Sequence, residues 1–217
     1  KFDEVVLATG VTPRVPEIAG VDHRSVITYQ QLIRDQAPVG ERVAVLGAGG
    51  IGYDVSEYLL HDREESLEHW MSRWGVTDPE IERGGLATKV KTEPRRAVTL
   101  LQRKSTSFGK DLGKTSGWVH RTTLKDSGVN FVGGVRYDRI DDEGLHVTIG
   151  ADGDSPESKV IAADTIVLCT GQESVRDLAE PLTAAGLSVH IIGGADVAAE
   201  LDAKRAIKQA TELAATL

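Results

Sequence analysis

Residues 42–53, Arg42-Val43-Ala44-Val45-Leu46-Gly47-Ala48-Gly49-Gly50-Ile51-Gly52-Tyr53, decide the fold. The apolar run 43–46 has the continuous hydrophobicity of a strand buried on both faces. A G-x-G-x-x-G follows at once, and a helical run through Tyr53, Ser56, Tyr58, Leu59 and Leu60 follows that. This strand–loop–helix context makes the glycine pattern informative. Gly47 permits a tight turn, Gly49 lets the backbone approach a pyrophosphate, and Gly52 lets helix and strand pack closely. The helix N-terminus offers free N–H groups to the phosphates. Gly47, Ala48, Gly49, Gly50, Ile51 and Gly52 are therefore the expected dinucleotide cradle, set against the plainer reading of a glycine-rich turn. Asp54 is expected in the first helical turn, complementing the dipole and facing away from a ligand.

Working outward, residues 4–8, 97–102, 165–169 and 189–192 read as further buried parallel strands, and 130–132 as a sixth. Between Val135 and Ile161 the pattern turns to alternation, as in Leu145-His146-Val147-Thr148-Ile149. The turn residues Asp142-Glu143-Gly144 and Asp152-Gly153-Asp154 make this an antiparallel meander. The expected class is α/β, a Rossmann-like doubly wound parallel sheet with an antiparallel β-meander, of the FAD/NAD(P)-binding domain type. Helices are expected on both faces of the sheet. The charged stretch 62–93 interrupts the first crossover. It contains an amphipathic helix with Leu67, Trp70, Met71 and Trp74 on one side, expected to be a packing face.

Composition narrows the function classes. The 217 residues carry 25 basic and 33 acidic side chains, a formal net charge of -8, which argues against a general nucleic-acid binder. No apolar run approaches the length of a membrane span. One cysteine, Cys169, excludes an internal disulfide and any cysteine-built metal site within these residues. Cys169 ends a buried strand and reads as inert core. A cytoplasmic protein without membrane or nucleic-acid partners is the expectation. The chain opens inside a strand, at Lys1-Phe2-Asp3, and so reads as a piece of something longer.

The end of the second strand bears on cofactor choice. A carboxylate there binds the ribose hydroxyls of NAD, whereas a basic residue accommodates the 2′-phosphate of NADP. After Gln102 come Arg103 and Lys104, and no acid appears until Asp111. Arg103 can form a bidentate pair with a phosphate and Lys104 adds a point charge, which points to NADPH. The alternative is a solvated basic strand end. The turn Gly113-Lys114-Thr115 ahead of the next helix leaves two readings, a site for an anionic group or a closure of the adenine side. His120 and Arg121 are expected at a surface or domain contact. No acid/base pair and no metal-ligand constellation is visible, so neither catalytic residues nor metal ligands are expected in the chain.

The stretches FDEVVLATG, APVGERVAVLGAGGIGYD, LQRK, GKTSGWVHRTTL, IDDEGLHV and IGGADVAAELDAKRAI resemble the C-terminal half of NADPH-dependent 2,4-dienoyl-CoA reductases, the bacterial iron–sulfur flavoenzymes of fatty acid β-oxidation. The resemblance implies a larger enzyme. An N-terminal barrel would bind FMN, a 4Fe-4S cluster would follow, and a glutathione-reductase-like half would bind FAD and NADPH. It implies an NADPH-binding domain at 37–184 inserted between FAD-domain remnants at 1–36 and 185–217. The partners implied are the missing barrel and FAD-binding half, with pairing to a second copy also open. Thr9 and Gly10 resemble the crossover of these reductases, and Thr170 and Gly171 repeat it. Asp196 resembles the aspartate that holds the flavin ribityl chain, ahead of a helix around 201–207 that would point at the isoalloxazine. Its alternative is a cap for a helix beginning at Val197. Rival readings are another NAD(P)H:flavin ene-reductase, an amine dehydrogenase relative, or a non-catalytic NADP-binding module.

Overall fold

The computed structural model describes residues 2–62, 64–91, 93–151, 155–199 and 202–217. In chain order the elements are β1 (Glu4–Leu7), β2 (Val11–Pro13), β3 (Val26–Thr28), α1 (Tyr29–Ile33), β4 (Arg42–Leu46) and α2 (Gly50–Leu60). Then come α3 (Leu67–Trp74), β5 (Ala97–Gln102), α4 (Gly117–Asp126), β6 (Asn130–Gly133), β7 (Val135–Asp141) and β8 (Gly144–Ile149). The last are β9 (Glu157–Ile161), β10 (Thr165–Leu168), β11 (Gln172–Ser174), α5 (Ala179–Ala184), β12 (Ser188–Ile191) and α6 (Ala203–Ala214). They fall into two compact units, one of residues 16–169 and one of 1–15 with 170–217.

The 16–169 unit is built on a five-stranded sheet in the order β3-β10-β4-β5-β6, every pair parallel. The chain winds from β4 through β5 to β6, then returns to β10 on the other side of β4. That reversal opens a switch-point crevice at the carboxyl end of β4, where such sheets bind ligands. Strand alternation sorts the core into two layers. Val43, Val45, Val98, Leu100 and Val167 point toward Leu32 of α1, Val55 and Leu59 of α2 and Leu124 of α4. Ala44, Leu46, Leu101, Ile166 and Leu168 point the other way, against Val135, Leu145, Val147 and Ile161 of the meander. The antiparallel sheet β7-β8-β9 thus covers the face where helices were expected. The two apolar sides of the strands have the same cause as before, burial on both faces, but the cover differs.

The edge strand β3 was not anticipated. It is only three residues long, and it pairs with β10 through Val26, Ile27 and Thr28. Thr28 also caps α1, accepting from Gln31 N while the Gln31 side chain accepts from Thr28 N, a capping box. This pairing puts residues 16–36 with the nucleotide-type sheet. The compact units divide at 15/16 and 169/170, not at the expected 36/37 and 184/185.

Arg42, at the start of β4, is fixed by Asp164, which accepts from Arg42 N at 2.9 Å and from its guanidinium. Those hydrogen bonds hold the Asp164 carboxyl near about 2 instead of 3.8. A depressed folded-state value contributes stability above the unfolded value, and this contribution is lost as pH falls through the folded one. The protein is therefore expected to lose stability between about pH 4 and pH 2, and Asp164→Asn should flatten that part of the curve. Urea melts across this window check it; an unchanged slope in the variant would refute the assignment.

In the other unit, β1 and β12 form a two-stranded parallel sheet, Glu4 to Leu7 against Ser188 to Ile191. The antiparallel pair β2–β11 carries the chain out of this unit and back. Asp152, Gly153, Asp154 and Leu201 lie outside the described residues. Among the described residues no helix is long and apolar enough to cross a membrane.

Candidate nucleotide-binding site

The glycine loop has the local geometry that its sequence requires. Gly47 sits at φ +108°, which an L side chain adopts only with strain, and its N–H donates to Leu101 O at 2.9 Å. A Cβ on Gly52 would stand 1.8 Å from Gly47 O, so α2 rests directly on the turn. Around Gly49 and Gly50 there is open space, with nothing within 4 Å of a built Cβ. Gly49 is the N-cap of α2, makes no side-chain cap bond, and the first turn holds no acidic residue. The result is a cradle with uncommitted N–H donors at a helix N-terminus, the donor set a pyrophosphate needs. Asp54 is the fifth residue of α2, in its second turn rather than its first, because the helix begins at Gly50.

Parallel pairing of Leu46 with Leu101 sets the end of β5 beside the loop. Arg103 and Lys104 follow directly, both exposed and without an ion-pair partner among the described residues. Arg103 also acts on the Tyr137 hydroxyl, whose titration burial raises strongly; that hydroxyl points to Leu101 O at 3.4 Å. Two exposed cations thus follow the strand end that lies beside the open cradle.

Lys114 is exposed in the turn before α4, and no hydrogen bond or ion pair among the described residues links it to the glycine loop. Sequence reasoning missed the packing beneath this segment. The Tyr53 hydroxyl is buried with no hydrogen-bond partner among the described residues. A Cβ on Gly109 would come within 2.8 Å of it. Arg121 donates to Gly109 O at 3.0 Å, so α4 holds the 103–116 segment against α2. His120 Nδ1 meets Glu57 at 2.8 Å, a helix–helix contact within the unit. The signal available was Gly109, a glycine in the middle of a polar segment.

The remaining positions lie in the unit of 1–15 and 170–217. Thr9 donates to Val175 O, and Val175 N donates to Gly10 O at 3.0 Å. Thr170 donates to Arg14 O at 3.0 Å, and Arg14 N donates to Gly171 O at 3.0 Å. These four residues tie the two crossover segments together. Asp196 does not cap a helix at Val197: α6 starts at Ala203 and is capped by Asp202, which accepts from Arg205 N at 2.7 Å. The Asp196 carboxylate accepts from Gln209 Nε2 at 2.8 Å, while Gln209 Oε1 accepts from Gly193 N at 2.7 Å. Beside this linkage lies a cavity of about 550 Å³, lined by Ala8, Ile192, Gly193, Gly194, Ala206 and Ile207 among others. Cys169 is buried, and burial pushes its thiol up to about 12, which fits an inert core residue.

The model for pyridine nucleotide-disulphide oxidoreductases matches residues 1–205. The chain belongs to this family. Its members bind FAD and NAD(P)H, and the cradle above has the donors and the space for a dinucleotide. The chain is 25% identical over 198 residues to a metal reductase of Desulforamulus reducens, covering 90% of this chain and 28% of that protein. It superposes on a 2-naphthoyl-CoA reductase with a TM-score of 0.72 at 18% identity, covering 99% of this chain and 27% of the other. For 6-hydroxypseudooxynicotine amine oxidase of Pseudomonas geniculata N1 the TM-score is 0.69 at 22% identity, with 97% and 28% covered. The structural matches show a shared fold. The chain spans roughly a quarter of each relative's length.

Proposed function

We propose that this chain is the NADPH-binding, flavin-reducing part of a larger flavoenzyme of the 2,4-dienoyl-CoA reductase type. The observation that carries the reading is the open, uncapped N-terminus of α2 over Gly49 with Arg103 and Lys104 beside it. When bound, the nicotinamide supplies a hydride to a flavin; the chain's own residues bind and orient. The N–H groups of Ala48 to Gly52 hold the pyrophosphate on the turn that Gly47 makes, and Arg103 and Lys104 hold the 2′-phosphate. The β1–β12 sheet, Gly193, Gly194 and the cavity beside α6 form part of the FAD site. Thr9, Gly10, Thr170 and Gly171 fix the crossovers between the two binding regions. Asp196, held by Gln209, shapes the Gly193 turn and faces the flavin's ribityl chain. Lys114 serves the adenine side. FMN, an iron–sulfur cluster and the acyl-CoA site belong to the remainder of the enzyme, in the cytoplasm.

The six matching stretches support the acyl-CoA substrate class, and the fold shared with a 2-naphthoyl-CoA reductase is compatible with it. Calorimetric titration of the protein with NADPH and NADH tests the cofactor. Gly49→Trp is the matched variant, because its side chain enters free space at an ordinary φ of -79° and leaves the fold intact. It is expected to weaken NADPH binding by about 100-fold or more while the melting temperature holds. Undiminished binding would place the dinucleotide elsewhere.

A further inference from the structure

Away from the glycine loop, a cleft of about 720 Å³ runs between the outer side of α2, the inserted helix α3, residues 93–95 and the end of α4. That volume is in the range of small-molecule sites. None of Gly47–Gly52 lines it, so a dinucleotide at the loop leaves it free.

Its described lining contains five carboxylates against two guanidinium groups. One pair is internally closed: Glu65, 9% exposed, takes both bonds of the Arg73 fork at 2.9 and 3.1 Å. Glu57 is engaged with His120. Asp54, Asp62 and Glu93 have no ion-pair partner among the described residues, and among the described lining residues Arg95 is the one arginine without an ion pair. The cleft therefore disfavours anions and favours positive charge.

The second component is aromatic. Trp70 and Trp74 lie 6.3 Å apart at 44°, and Tyr58 lines the same space. No described residue of α3 is fully buried: Met71 and Trp74 of the expected packing face are half-buried, and Trp70 is exposed. Trp74 already has Arg73 at 5.9 Å and Lys89 at 5.5 Å over its ring. Trp70 is 43% exposed and has no described cation over it. An indole face beside unpaired carboxylates attracts an ammonium group by cation–π and Coulomb terms together, and its apolar surface suits methylenes.

We propose that this cleft binds a linear polyamine, with ammonium groups at Asp54, Asp62 and Glu93 and the methylene chain across Trp70. The probe is spermidine, titrated into protein carrying Trp118→Phe and followed by tryptophan emission, since Trp118 lies outside the cleft. A saturable change is expected, weakened about tenfold or more in Asp54→Asn/Asp62→Asn/Glu93→Gln and weakened by raised salt. Trp70→Leu should weaken binding about threefold, which keeps a second readout if the triple variant melts early. No saturable change at millimolar spermidine would overturn the proposal. So would equal affinity in variants that retain the wild-type melting temperature. Binding of trilysine but not of spermidine would also overturn it and assign the cleft to a basic segment of a protein partner.

Discussion

Gly52→Ala is expected to lower the melting temperature by about 10 °C and to remove dinucleotide binding together with it. The added Cβ would stand 1.8 Å from the carbonyl oxygen of Gly47 and 2.9 Å from its carbonyl carbon. Both are backbone atoms of a turn that is itself pinned by the bond from Gly47 N to Leu101 O. No rotamer change relieves the contact, so α2 must move off the sheet. Overpacking of this kind costs about 3 kcal/mol, and in a chain of this size each kcal/mol shifts melting by roughly 3 °C. The movement also withdraws the helix N-terminus from the phosphates. Gly49→Ala is the control, because its Cβ meets nothing within 4 Å. Thermal melts of the two variants side by side decide the point. Equal melting temperatures would mean that α2 does not bear on the Gly47 turn.

What the sequence disclosed follows from how many constraints each segment carries. β4 and β10 are buried on both faces and read as apolar runs, Val43 to Leu46 and Ile166 to Leu168, while β5 breaks its run only at Thr99. The meander was legible because Leu145, Val147 and Ile149 alternate with polar neighbours, marking one buried face. β3 carried no such mark: three half-buried residues at a sheet edge satisfy no periodicity, and only their pairing with β10 makes them a strand. The unit boundaries were displaced for the same reason, since β2 and β11 are three residues each and depend on one another. The glycine turn was legible because Gly47 and Gly52 each answer a steric demand, the one through its positive φ and the other through its contact with the Gly47 carbonyl. The Tyr53–Gly109 contact and the acidic cleft could not, since segments distant in the chain meet there only after the crossover insertion has folded back over α2.

Arg103→Ala/Lys104→Ala should weaken NADPH binding by about 2–3 kcal/mol and leave NADH nearly unchanged. The register that pairs Leu46 with Leu101 brings the end of β5 beside the Gly47 turn, and the two residues follow that end, where the proposed binding mode puts the adenosine ribose. Neither cation is neutralised by a described carboxylate, so in this binding mode the 2′-phosphate of NADP would meet both charges. A hydroxyl in the same place offers them little. Between the two, Arg103→Ala should cost more than Lys104→Ala, because a guanidinium forms two parallel bonds to a phosphate and an ammonium acts as a point charge. Arg103→Lys should restore only part of the loss. Raised ionic strength should narrow the gap between wild type and variant, since exposed charge pairs are screened. The measurement is calorimetry with both cofactors at two salt concentrations. An equal fall for NADH would mean that the pair supports the pyrophosphate or the β5 terminus, and would remove the basis for assigning NADPH. A fall confined to NADPH would tie cofactor choice to the two residues that follow Gln102, and to the insertion that displaces them about fifty positions from the glycines.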